Sequence, residues 1–136
     1  MASLVPPFTE ATAKAKVQRA EDLWNTKDPN KVALAYTPDS VWRNRDQFLR
    51  GREEIIGFLQ KKWDVEKRYK LRKRYFCHND NKIAVEFEYE YLDEVAGQWW
   101  RAYGIEHWTF NQDGVMERRD MSANNIPISS EERMFK

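Results

Sequence analysis

The chain has 136 residues, enough for one domain and too few for two of ordinary size. Its 23 basic and 22 acidic residues leave a net charge of +1, which argues against nonspecific nucleic-acid binding. Aromatic residues make up 14%, a load that supplies a core and argues against disorder. No apolar run is long enough for a membrane span, and the first residues show no basic or apolar leader pattern. The single Cys77 excludes an internal disulfide and a Cys-rich zinc site. The expectation is a soluble cytoplasmic protein.

The first segment is helical. Thr9 is placed to cap Glu10 to Asn25, where Ala11, Ala15, Val17, Ala20, Leu23 and Trp24 fall roughly on one face. Asp28 and Pro29 restart a short helix that holds Val32, Ala33, Leu34 and Tyr36. Thr37-Pro38-Asp39 reads as a turn and Val41 to Arg45 as a short strand. Arg52 to Glu66 is a third helix, with Ile55, Ile56, Phe58, Leu59 and Trp63 as its apolar stripe.

After Lys67 the period changes from about 3.6 to 2. Tyr69, Leu71 and Tyr75 alternate with Arg68, Lys70, Arg72 and Arg74. Beyond the polar turn His78 to Asn81, the row Ile83, Val85, Phe87, Tyr89, Tyr91 alternates with Glu86, Glu88 and Glu90. This predicts a β-hairpin. An even index sum sets the basic row against the glutamates and apolar against apolar, whereas an odd sum sets charges against apolar groups throughout. Cross-strand pairs are worth roughly 0.2–1 kcal/mol each, so the even register is expected, with a three- or five-residue loop or a bulge.

The next strand runs from about Gln98 to Phe110. Pairing Tyr91 with Trp100 sets Tyr89 by Ala102, Phe87 by Gly104, Val85 by Glu106 and Ile83 by Trp108, and gives Glu90 to Arg101 on the other face. Val115 to Ala123 is a last strand, and the tail after Asn124 reads as irregular. Three helices followed by long antiparallel strands is an α+β layout. Twelve basic and five acidic residues lie between Arg43 and Arg74, with the acidic excess following in the next strand. Pairing of these blocks across the hairpin accounts for both.

No phosphate loop, dinucleotide fingerprint, nucleophile elbow or metalloprotease helix is present. His78 and His107 are the only histidines, too few for a multi-histidine metal site. The distinctive residue is Glu106, on the apolar sheet face among Val85, Phe87, Gly104 and Trp108. A carboxyl in such surroundings has its charge disfavoured, and it then serves as a donor or proton shuttle. The alternative is an ion pair with an inward arginine, Arg43 or Arg119. Desolvation is the favoured expectation, because Gly104 and Ala102 suggest cavity rather than charge beside it. In Trp42-Arg43-Asn44-Arg45, alternation sends Trp42 and Asn44 to one face and the arginines to the other.

The segments Trp24 to Pro29, Val32 to Thr37, Val41 to Arg45 and Phe48 to Arg52, together with Lys62-Trp63, Trp99 to Gly104, Glu106, Trp108, Gly114 to Met116 and Ile126 to Ile128, resemble the nuclear transport factor 2-like (SnoaL-like) superfamily, and within it a bacterial branch without assigned activity. The resemblance covers nearly the whole chain. It implies a cone-shaped α+β barrel, with a strongly curved antiparallel sheet packed on three N-terminal helices around a pocket, and usually a dimer. It implies no settled activity, because such folds host several chemistries and also noncatalytic binders. Against the ketosteroid isomerases of the superfamily, the general-base aspartate falls at Asn44, the oxyanion-hole tyrosine near Ala20, and the oxyanion-hole aspartic acid at Glu106. Two of three groups are lost, which argues against that mechanism and leaves Glu106 as an inward carboxyl.

The expectation is a pocket for a small molecule, without cofactor or metal. Glu106 and Asn44 are the candidate catalytic residues, and Tyr36, Trp42, Arg43, Phe87, Trp108 and Arg119 the candidate ligand-binding residues. The reaction would be that of a lyase, isomerase or hydrolase; the competing reading is a noncatalytic binding or interaction module. Trp99, Tyr103 and Ile105 on the outer sheet face predict a homodimer through that face.

Overall fold

The computed structural model describes residues 4–136. Helix α1 (Glu10–Trp24) begins at Thr9, whose side chain accepts from the Thr12 N–H while Thr12 Oγ1 accepts from the Thr9 N–H. Helix α2 (Pro29–Ala33) is capped by Asp28, which accepts from the Asn30 and Lys31 N–H groups. Tyr36, expected inside this helix, instead opens strand β1 (Tyr36–Asn44). A short strand β2 (Gln47–Arg50) follows a turn in which Arg45 has φ 59°. Helix α3 (Arg52–Val65) comes next, then the long strands β3 (Lys67–Asn79), β4 (Lys82–Asp93), β5 (Gln98–Phe110) and β6 (Met116–Ile128). No helix among the described residues is long and apolar enough to cross a membrane.

The fold is α+β, with helices against a six-stranded sheet in the order β2-β1-β6-β5-β4-β3. Four neighbouring pairs are antiparallel, but β1 runs parallel to β6. The sheet is therefore mixed. It is also open rather than closed into a barrel, with β2 and β3 at its edges.

The hairpin register is even from Lys70↔Glu90 to Tyr75↔Val85, then shifts at Phe76 so that Asn79 faces Lys82. A bulge thus reconciles the charge rows with a two-residue turn, as the parity argument required. Arg74 Nη1 reaches Glu88 at 2.6 Å, and Arg72 and Arg74 lie 3.9 Å and 4.0 Å from Glu88 and Glu86. The β4–β5 register is the expected one throughout, including Phe87↔Gly104 and Val85↔Glu106.

Helices and sheet meet through aromatic side chains. Trp24 stacks on Trp42 with centroids 5.8 Å apart, and Trp63 packs edge-on to Trp24 at 5.9 Å and to Tyr69 at 5.7 Å. On the outer face, Tyr103, Ile105 and Ile126 are exposed. The C-terminal residues fold back over one end of that face. Glu90, buried there, accepts from Arg101 Nε and from the Met134 and Phe135 N–H groups, and the Arg133 guanidinium lies 3.8 Å from the Trp99 ring centroid. Trp99 is consequently half-buried by its own chain.

Candidate functional site

Glu106 faces inward between Val85 and Met121 and is 1% exposed. Two cations hold its carboxylate. Arg119 donates from Nε to Oε1 at 2.6 Å, and Lys73 donates from Nζ to Oε2. Burial alone would raise the Glu106 pKa, but the charges of Lys73 and Arg119 and their hydrogen bonds outweigh it and bring it down to about 2. The expected neutral donor is therefore corrected: Glu106 is a fixed carboxylate at neutral pH.

Lys73 was absent from the sequence-based site. It lies opposite Phe87 in the odd-numbered row of β3, between Leu71 and Tyr75. That index is the signal that could have identified it, because every other inward position of the row is apolar or aromatic. Its ammonium sits 5.0 Å, 5.4 Å and 5.5 Å from the ring centroids of Phe87, Trp108 and Trp24. Burial pulls its pKa below the ordinary lysine value; Glu106 opposes this and Arg119 adds to it. The Arg119 guanidinium lies 4.4 Å from Trp42 and 5.0 Å from Trp24. The cluster is thus an ion triad in an aromatic box.

The space expected over Gly104 is filled. A Cβ on Gly104 would run into the Phe87 ring, so this glycine admits an aromatic side chain and not a ligand. Tyr36, Trp42, Phe87, Trp108 and Arg119 are buried in the same packed layer, and the Tyr36 hydroxyl accepts from Trp24 Nε1 at 3.1 Å. Arg43 points to the other face, where it donates to Met121 O at 3.1 Å and to Ser122 Oγ at 3.1 Å and lies 3.6 Å from Asp120. None of these six residues lines the cavity that Asn44 borders, although Trp108 and Phe87 each border a smaller cleft.

Asn44 ends β1, is 6% exposed, and accepts from Arg119 Nη1 on its Oδ1 at 3.0 Å. The cavity beyond it has a volume of about 590 Å³. One wall is a single face of α3, formed by Glu54, Gly57, Phe58, Lys61, Lys62 and Val65 at helical spacing. Leu49 of β2, Tyr89 of β4 and Asn125 of β6 form the opposite side, with Arg45 between them.

Arg45 organises that side. Its guanidinium donates to Ala123 O at 2.8 Å, Asn125 Oδ1 at 2.6 Å and the Tyr89 hydroxyl at 3.3 Å. The Lys62 ammonium pairs with Glu66 at 2.8 Å and sits 4.1 Å from the Tyr89 ring centroid. Among the described residues, no group of three or more His, Cys, Asp or Glu side chains is placed to hold a metal ion.

A family model described as "Protein of unknown function (DUF1348)" matches residues 6–136. The chain belongs to the DUF1348 family. No curated protein matches it in sequence. Among solved structures it is similar to SalBIII, an epoxide hydrolase/cyclase-like enzyme in pyran ring formation in the polyether salinomycin. The TM-score is 0.74 at 12% identity, with 85% of this chain and 92% of that one covered. BvnE pinacolase from Penicillium brevicompactum gives 0.70 at 14% identity over 82% and 85%. An NTF2-like protein of unknown function from Burkholderia pseudomallei gives 0.71 at 17% identity over 82% and 91%. The fold is that of the NTF2-like, SnoaL-like proteins.

Proposed function

We propose that the cavity between α3 and the sheet is a small-molecule binding site, and that Asn44 orients the ligand. The observation that carries this reading is the state of the Asn44 amide. An arginine can only donate, so Oδ1 must face Arg119. The Nδ2 group makes no hydrogen bond among the described residues, although the side chain is almost entirely buried and borders the cavity. The Nδ2 group is open to the cavity rather than sealed from it, so a ligand that displaces solvent there has to accept from it or leave it unsatisfied at a cost in free energy.

Gly57 supports the same reading. A glycine within a helix costs about 0.5–1 kcal/mol relative to alanine. A Cβ at Gly57 would meet nothing within 4 Å, and the residue lines the cavity. The bare backbone keeps that space open at the expense of helix stability.

On this reading Glu106 does not handle protons. It holds Arg119, which holds Asn44, and is a positioning residue. The groups on the cavity wall with protons to exchange are Glu54, Lys61, Lys62 and Glu66. SalBIII is an epoxide hydrolase/cyclase-like enzyme and BvnE a pinacolase, and turnover in this chain would draw on those wall groups. We propose in addition that a second copy covers the outer face, where Tyr103, Ile105 and Ile126 are exposed beside the Arg–Glu pairs of the hairpin.

The test is native mass spectrometry of the purified protein, with a thermal-shift screen of cyclic ketones, aromatic acids, alcohols and amines, on wild type and Gly57→Leu. A retained or added compound that stabilises the wild type and not Gly57→Leu is expected. A screen in which nothing distinguishes the two proteins overturns the reading.

A further inference from the structure

We infer that the ligand is an apolar carboxylate whose oxygens are received by Asn44 and Tyr89. This rests on the reading of the cavity as a small-molecule site. The Tyr89 hydroxyl accepts from Arg45 Nη2 at 3.3 Å, and since guanidinium nitrogens have nothing to accept with, the phenol keeps its own proton for another partner. It has no other partner among the described residues, and Tyr89 borders the cavity. Asn44 Nδ2 is in the same position for the same reason, with Arg119 behind it. Two donors, each fixed in polarity by an arginine, therefore face one cavity.

The arrangement resists reversal. The Trp42 and Trp108 indole N–H groups have no acceptor among the described residues, so the buried cluster is already rich in donors. Turning the Asn44 amide would remove one acceptor and add another donor there. What enters the cavity end must therefore accept hydrogen bonds.

Charge narrows the class. The Arg45 guanidinium donates to three neutral oxygens, of Ala123, Asn125 and Tyr89, and no carboxylate among the described residues lies within ion-pair distance of it. Of the other ionisable wall groups, Lys62 pairs with Glu66, Glu54 accepts from the Arg50 N–H, and Lys61 has no ion pair among the described residues. The wall thus carries one positive charge in excess, and Arg45 sits directly behind a donor. A carboxylate uses both donors and this charge. A ketone uses only the donors, and an ammonium is opposed by both. Leu49, Phe58 and Val65 supply the apolar surface for the rest of the molecule.

The test uses one ring system with three head groups: naphthylacetate, naphthylacetamide and naphthylethylammonium, with affinity measured by calorimetry and folding followed by thermal melting. Naphthylacetate should bind at least about tenfold more tightly than the amide, and the ammonium should not bind. Tyr89→Phe, which keeps the ring, and Asn44→Leu should each weaken naphthylacetate by about tenfold or more, the loss of one hydrogen bond to a charged group. Equal or tighter binding of the ammonium overturns the inference, as does naphthylacetate binding that Tyr89→Phe leaves unchanged in a folded protein. If the amide or the ammonium is preferred and Gly57→Leu abolishes its binding, the pocket stands and the carboxylate falls. If none of the three binds, the inference fails, and the broader thermal-shift screen decides separately on the pocket.

Discussion

Arg119 donates to Asn44 Oδ1 at 3.0 Å, and that single contact decides which end of the amide the cavity meets. The same guanidinium is held from behind by Glu106. The buried acid and the cavity are therefore coupled through one side chain, although the acid itself is not on the cavity wall.

Glu106→Gln should destabilise the protein strongly. It leaves Lys73 and Arg119 as buried cations without a counter-charge, a change that costs roughly 3–5 kcal/mol. Thermal melting beside the wild type reads it directly. Unchanged melting would mean that the ion triad contributes nothing to the fold.

The same group makes stability depend on acid. The folded Glu106 pKa, about 2, lies below its ordinary value of 4.5, so the unfolded chain binds its proton first as pH falls. The stabilisation is fully present above pH 4.5 and is lost as pH falls toward 2, an effect of about 3 kcal/mol. Urea unfolding between pH 6 and pH 2 should show this loss. In a variant that removes the whole triad, Lys73→Met with Glu106→Leu and Arg119→Met, the pH slope should be shallower.

Gly104→Ala tests the packing of the layer. The added methyl group collides with the Phe87 ring, which is itself stacked on Tyr89 at 6.0 Å and lies against the Lys73 ammonium. Overpacking of this kind costs about 1–3 kcal/mol. If a ligand occupied the space beside Gly104, the variant would instead lose binding at unchanged stability, and melting with ligand titration separates the two outcomes.

Assembly is checked by light scattering at micromolar concentration. A dimer is expected, and Ile105→Glu on the exposed outer face should convert it to a monomer that melts no earlier than the wild-type chain held monomeric by dilution. A monomeric wild type would refute the outer-face interface.

Much of the fold was legible because alternation and charge point the same way. The β4–β5 register follows from Val85, Phe87 and Tyr89, and the bulge at Phe76 is where charge pairing and the two-residue turn are both kept. Strand β2 was missed because it is short, and because Arg45 takes its left-handed conformation without the glycine or asparagine that would announce a turn. Strand β6 runs past its expected end because β5 stays paired with it as far as Ile128, while β1 stops pairing with it at Met121 and so frees one side of its later residues to tolerate Pro127. Of the site, Glu106 and Asn44 could be placed by parity and by resemblance. Lys73 was lost among the basic residues around it. The cavity's position, under α3 and not beside Glu106, depends on how a helix seats on a sheet, and no local pattern encodes that.

The parallel pairing of β1 with β6 also carries a consequence for synthesis. Asn44 is among the first third of the residues to leave the ribosome, whereas Arg119 lies 75 positions later. Loop closure over that separation has to wait for nearly the whole chain. A nascent chain can build the β3–β4–β5 meander early, but it holds an incomplete pocket until β6 slots in between β5 and β1. A ribosome stalled shortly before that point would display a folded hairpin system with no binding site, and ligand should protect the chain from protease only after release.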